Sequence, residues 1–168
     1  MLGRGLAVAV LTLSLDYLSK AAILAHFDTD CFGRPASERV TAFLDLVLTC
    51  NTGISFGILN RTGVNALVFS LAAAIVIVVL VVWLRRVQAT FLAVAIGLII
   101  GGAAGNVVDR LRFHGVVDFL YFHAGTWYWP AFNLADSAIC LGVAAMLLDG
   151  VLLRRGAAQA KGREDLSS

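Results

Sequence analysis

The chain has 168 residues, enough for one compact domain, with 60% hydrophobic and 14% charged residues and a formal net charge of +2. Its mean hydropathy of +0.86 excludes an ordinary water-soluble domain and points to an integral membrane protein. The small net charge says little; the placement of the charges says more.

Four apolar runs, at residues 5–25, 64–84, 91–108 and 131–153, approach the roughly 20 residues that cross a ~30 Å hydrocarbon core as a helix. Backbone groups in lipid must be satisfied within the segment, so all four are expected to be helices. The first run resembles a signal peptide. Asp16 and Lys20 interrupt it, however, and no small-x-small site closes it, so an uncleaved helix is expected. Arg4, Arg85, Arg86, Arg154, Arg155, Lys161 and Arg163 share one side of a four-span chain, whereas Arg34, Arg39, Arg61, Arg110 and Arg112 lie on the other. That bias predicts cytoplasmic termini and two outward segments.

Asp16 and Lys20, at i and i+4 in the first span, can neutralise each other on one face. Alternatively, Lys20 can face a substrate or a headgroup. The first outward segment opens with the turn formers Asp28, Thr29, Asp30, Gly33 and Pro35. Alternation over residues 40–50 predicts a short strand, Asn51-Thr52-Gly53 a turn, and residues 54–59 a return to apolar character. Cys31 and Cys50 share this segment and can pair there, and Cys140 falls in the fourth span. Small apolar filler is the favoured reading of the three. His26, His114 and His123 are scattered and are expected at interfaces, and no metal-ligand spacing occurs.

The third span carries Gly101-Gly102-Ala103-Ala104-Gly105. Small residues admit a close neighbour, either a helix of the same chain or a foreign helix lying in a groove. Asn106, Asp109 and Arg110 follow on one helical face. Arg110 is a permanently charged donor suited to a carbonyl, carboxylate or phosphate. The second outward segment contains Asp118 in Val116-Val117-Asp118-Phe119, then Trp127-Tyr128-Trp129-Pro130, an aromatic cluster of the headgroup level. Asn133, Asp136 and Ser137 open the fourth span on one face. Asp136 is favoured there by the helix dipole, yet it already stands inside an apolar run. Residues 154–168 form a basic, then polar, tail expected to fray.

Asp118 and Asp136 are the informative pair. Carboxylates at the edge of a bilayer are costly to keep. If two converge, they cannot both ionise easily, so one holds a proton while the other acts as base. That arrangement activates water against an amide and protonates the leaving amine. The competing reading is a small proton-coupled carrier or channel using Asp16, Asp109, Asp118 and Asp136. The second span, though, has no ionisable residue between Val64 and Leu84, and the polar groups gather toward one face. Gly-x-Gly-Asp, found in other membrane aspartyl proteases, is absent.

Five stretches carry a family resemblance: Asp16-Tyr17-Leu18-Ser19-Lys20; Asn51-Thr52-Gly53-Ile54-Ser55-Phe56-Gly57; Gly101 through Arg110; Val116-Val117-Asp118-Phe119; and Pro130-Ala131-Phe132-Asn133-Leu134-Ala135-Asp136-Ser137. In order and spacing the chain resembles the lipoprotein signal peptidases (signal peptidase II). Ser19, where the family often has Thr, keeps the hydroxyl. The resemblance implies an all-α integral membrane protein of four transmembrane helices with a small extended, β-like extracytoplasmic segment. It implies an aspartyl endopeptidase of the bacterial inner membrane that cleaves diacylglyceryl-modified prolipoproteins just before the lipidated cysteine. It implies Asp118 and Asp136 as catalytic dyad, with Asn106, Arg110 and Asn133 orienting dyad and substrate. Asn51 and Gly53 would cradle the substrate, Asp16 and Lys20 would support the site, and Asp109 would play a structural part beside Arg110. The glycine-rich third span would help dock the substrate's signal helix. It also implies a monomer that needs no metal or cofactor, binds no nucleic acid and is inhibited by the cyclic peptide globomycin.

Overall fold

The computed structural model describes residues 1–53 and 64–165. The apolar return expected at 54–59 and the Ile54-Ser55-Phe56-Gly57 half of its motif lie outside the described residues. In chain order the elements are α1 (Leu2–His26), β1 (Ala36–Arg39), β2 (Leu44–Asn51), α2 (Val64–Leu84), α3 (Thr90–Phe113), β3 (Val116–Ala124), β4 (Trp127–Tyr128) and α4 (Leu134–Asp165). All four helices are long and apolar enough to cross a membrane.

Helix α3 is the central post, packing against α1, α2 and α4. Two consecutive glycines serve two neighbours. A Cβ on Gly101 would stand 2.5 Å from the Ala9 carbonyl oxygen of α1, and one on Gly102 would stand 2.5 Å from that of Ala135 in α4. Both contacts are to backbone, which cannot swing aside. The glycine run therefore seats helices of its own chain and leaves no groove there for a foreign helix. Around it, Ala9, Leu84, Ala93, Ile96 and Ile100 form an apolar core.

The helix ends differ from the apolar runs. Helix α1 includes Arg4, α3 runs five residues past 108, α4 begins at Leu134 rather than 131, and α4 continues to Asp165 through the tail expected to fray. Composition marks where lipid-compatible residues stop, whereas a helix continues until its backbone donors find another partner. His114 stops α3 in the left-handed region, φ 57°.

The outward segments build one antiparallel sheet of order β1-β2-β3-β4. The strand expected at 40–50 is present as β2, beginning at Leu44, and residues 40–43 turn the chain from β1 into it as a hairpin. Val40 and Thr41 both donate backbone N–H groups to the Leu44 carbonyl, and β1 precedes them. The second outward segment supplies β3, whose partner is β2 with Thr49 opposite Asp118 and Asn51 opposite Val116. Cys31 and Cys50 form a disulfide, which overturns the filler reading for both. Cys140 is the free, exposed cysteine of α4. The disulfide packs beside Ile23, Leu48, Val117 and Phe119 and ties the α1 exit to the end of β2. Of the three histidines, His123 is buried against Asp45, with Nε2 3.1 Å from Oδ1.

Lys20 does not face a headgroup. Its Nζ lies 2.7 Å from Asp16 Oδ2 and 2.9 Å from Asp109 Oδ2, and it donates to Asn106 Oδ1 at 3.2 Å. All four residues are buried. Asp16 also accepts the Ala135 backbone N–H through Oδ1, at 2.9 Å. One ion cluster thereby joins α1, α3 and the first turn of α4. Breaking a buried pair leaves an uncompensated charge. Lys20→Met is expected to destabilise the fold by about 3–5 kcal/mol, read as a lowered melting temperature in detergent. A melting temperature equal to that of the parent would contradict this role. The Cys31→Ser/Cys50→Ser double variant is expected to lose about 2–4 kcal/mol in the same assay, as is the reduced parent.

Candidate active site

Asn133 is the residue immediately before α4, and it caps that helix reciprocally with Asp136. The Asn133 Oδ1 accepts the Asp136 backbone N–H at 2.9 Å, and Asp136 Oδ2 accepts the Asn133 backbone N–H at 3.3 Å. This is the capping-box arrangement, with Asn and Asp in place of Ser and Glu. It leaves Oδ1 of Asp136 free for another donor, and Asn106 Nδ2 of α3 supplies one at 2.8 Å.

The other carboxylate arrives on the sheet. Asp118 sits on β3 and is buried. Asn133 Nδ2 donates to its Oδ1 at 2.7 Å and Asn51 Nδ2, at the end of β2, donates to its Oδ2 at 3.1 Å. Asn133, itself fully buried, therefore contacts both carboxylates directly. Gly53 donates its backbone N–H to Asn51 Oδ1 at 3.1 Å, an Asx-type turn that fixes the amide toward Asp118. Thr49 Oγ1 donates to the Asp118 carbonyl at 3.3 Å.

Burial pushes the Asp118 carboxyl up to about 7, with the nearby charge of Asp136 as the second cause; hydrogen bonds from Asn51 and Asn133 act in the opposite direction. Asp118 is thus poised to exchange a proton near neutrality.

Two open cavities meet at this point. One, of about 450 Å³, is lined by Val47, Thr49, Cys50, Asn51, Asp118, Tyr121, Pro130 and Ala131. The other, of about 510 Å³, takes in Asn51, Asp118, Trp129 through Phe132, Asp136, Ser137 and Cys140. Asp118 lines both, so the carboxylate pair stands at their junction. Among the described residues no cluster of three metal-ligating side chains occurs.

Of the ten residues singled out from the sequence, Asp118, Asp136, Asn106, Asn133, Asn51 and Gly53 form this network directly. Asp16, Lys20 and Asp109 lie behind it, and Asp109 Oδ2 also accepts the Val117 backbone N–H at 3.1 Å, positioning β3 one residue from Asp118. Arg110 stands apart from the dyad's hydrogen bonds. Its Nη1 donates to the Asn106 carbonyl at 3.2 Å, and its guanidinium lies 5.6 Å from the centre of the Phe69 ring. The sequence assigned no role to Thr49 or Tyr121, and Pro130 and Ala131 entered only as part of a family stretch; Thr49 lies two residues from Asn51 and Tyr121 three from Asp118.

Comparison with known proteins identifies the family. The family model described as Signal peptidase (SPase) II matches residues 8–152. The lipoprotein signal peptidase of Nitrobacter hamburgensis is 44% identical over 164 residues, covering 95% of this chain and 98% of the relative. That of Rhodopseudomonas palustris (strain TIE-1) is 42% identical over 153 residues, covering 88% and 92%. Two solved structures of bacterial membrane enzymes superpose with TM-scores of 0.74 and 0.72, each at 28% identity. They cover 88% and 93% of this chain and 92% and 91% of their own. With a polar dyad held at the mouth of a four-helix membrane fold and relatives matched nearly end to end, the chain belongs to the signal peptidase II family, the peptidases of lipoprotein processing.

Proposed function

We propose that the protein cleaves the signal peptide from diacylglyceryl-modified prolipoproteins just before the lipidated cysteine, by water activation between Asp118 and Asp136. The observation that carries this reading is that one buried residue, Asn133, donates to both carboxylates, its side-chain Nδ2 to Asp118 and its backbone N–H to Asp136. A pair held so close, one of them poised near 7, favours a state with one shared proton. In that state the ionised carboxylate takes a proton from water as the oxygen attacks the scissile carbonyl. The protonated partner hydrogen-bonds the carbonyl oxygen and then supplies the proton to the leaving nitrogen. No metal or organic cofactor enters this scheme.

Depth supports the substrate class. The dyad lies where β3 meets the first turn of α4, at one end of the spans and beside the exposed Trp127 and Trp129. Aromatic residues of this kind sit at the bilayer interface. A lipidated cysteine is anchored with its peptide bond at that level, and two cavities on either side of Asp118 give the chain a path across it. The disulfide on the same side fits an oxidising compartment and, with the positive charges of the sequence, the bacterial inner membrane with cytoplasmic termini and an outward site. Globomycin-type cyclic peptides would occupy the same cavities, and one chain carries a whole site, in keeping with a monomer.

Asp118→Asn and Asp136→Asn are each expected to fold and to lose precursor cleavage by at least about a thousandfold. The check is a gel-shift assay on purified protein with precursors bearing or lacking diacylglycerol. Cleavage of the unlipidated precursor at the same rate, or full activity in either folded variant, would overturn the proposal.

A further inference from the structure

Beyond Leu48 the end of β2 is paired on one side only. The β1–β2 ladder stops with Ala36 opposite Leu48, whereas the β2–β3 ladder continues through Thr49, Cys50 and Asn51, after an irregularity in register between Leu46 and Thr49. A strand end beyond such a break, with no strand on its outer side among the described residues, is the weakest part of a ladder. Yet this end carries Asn51, whose Nδ2 holds Asp118 Oδ2 at 3.1 Å. The Cys31–Cys50 disulfide occupies the missing side. It brings the two Cα atoms to 5.1 Å, within the ~4.5–5.5 Å of directly opposed strand residues. The Cys50 sulfur also rests on Gly115, where a Cβ would stand 2.7 Å from it. The α1 exit, the end of β2 and the turn into β3 therefore meet at this bond.

We propose that the disulfide is a positioning device for Asn51, and that a small dithiol which opens it loosens the Asn51 hold on Asp118 without unfolding the chain; this inference rests on the function proposed above. Access favours the exchange. Cys31 is 5% exposed inside its apolar cluster, whereas Cys50 is half-buried and lines the same open cavity as Asp118. A thiolate entering that cavity attacks Cys50 Sγ. The Cys31–Cys50 bond breaks, and Cys31 leaves as a thiolate that takes a proton from water. The second sulfur of the dithiol then attacks the mixed disulfide, releasing Cys50 as a thiolate, protonated in turn, and the reagent as a cyclic disulfide. Two electrons pass from reagent to protein, and an excess of a small disulfide reverses the exchange.

The titration of Asp118 reports the result. Its carboxyl faces the charges of Asp136 on α4, Lys20 on α1 and Arg110 on α3, and it accepts hydrogen bonds from Asn133 and Asn51. Among these five, Asn51 alone is the chain neighbour of a bonded cysteine. A donor to the ionised carboxylate favours that form, so loosening Asn51 lets the pair keep its proton to higher pH.

The test is the pH dependence of kcat/KM on a lipidated precursor, for the parent before and after treatment with dithiothreitol, with folding followed by circular dichroism. Loss of one hydrogen bond corresponds to a rise of roughly 0.4 to 1 pH unit in the alkaline limb. That rise is expected in the reduced, folded protein and is expected to reverse on reoxidation. Cys31→Ser is expected to show the raised limb throughout and to ignore the reagent. An alkaline limb that stays in place or falls on reduction would overturn the inference, as would an equal response to dithiothreitol in Cys31→Ser. Unfolding of the parent on reduction would overturn it too, because the bond would then hold up the fold rather than place one amide. Each of these results leaves the peptidase reading intact. No cleavage by the oxidised parent would instead overturn that reading, and this inference with it. The comparison within the parent protein holds whatever the variant does to folding.

Discussion

Everything at the site depends on the first turn of α4. Its backbone donors would be unpaired in an environment poor in water, where such groups are costly. Asn133 satisfies one, the Asp16 carboxylate reaches from α1 to take another, and the Asp136 carboxylate accepts the Asn133 backbone N–H. Capping that helix thereby brings α1 to the start of α4, and Asn106 of α3 joins them through Asp136. The geometry of the carboxylate pair is then a by-product of structural necessity, since the residue that closes the cap also holds Asp118. The ion cluster of Lys20 stiffens the same point from behind, and Asp109 extends it to the backbone of β3.

The glycines make this convergence possible. Polar side chains reach only a few ångströms, so Asn106 can contact Asp136 only if α3 and α4 approach at backbone distance. Gly102 against Ala135 provides that, and Gly101 against Ala9 does the same for α1. Association in lipid lacks a hydrophobic drive between helices and depends on such close packing and on buried polar contacts. Here the two act on the same surfaces of α3. A consequence is that the substrate's signal helix must find another face than the glycine run.

Much of this was legible in the sequence, for identifiable reasons. The spans follow from apolar length, and the meeting of Asp118 and Asp136 in one hydrogen-bond network from carboxylates that lipid would otherwise expel. The pairing of Asp16 with Lys20 followed from i,i+4 spacing, though the third partner, Asp109, did not. What stayed hidden was long-range. Nothing local in Val116–Ala124 announces that it pairs with Leu44–Asn51, because a strand read singly does not name its neighbour. The same limit left the disulfide as one option beside the favoured filler reading, since two cysteines 19 residues apart become partners only when the fold sets the α1 exit beside the end of β2. Arg110, whose part in orienting the dyad only the family resemblance implied, donates to the Asn106 carbonyl and lies over the Phe69 ring while remaining within reach of the charges of Asp136 and Asp118.

The central claim is that Asp118 and Asp136 work as a pair holding one proton. The pH dependence of kcat/KM on a lipidated precursor tests it most directly. Asp118 is raised to about 7 by burial and by the neighbouring charge, so above that value the pair loses its proton and the acid is gone. At low pH both carboxyls are protonated and the base is gone. The account predicts a bell whose alkaline limb falls near pH 7. Activity that stays level from pH 6 to pH 9, where roughly 99% of such a pair would have lost its proton, would contradict it.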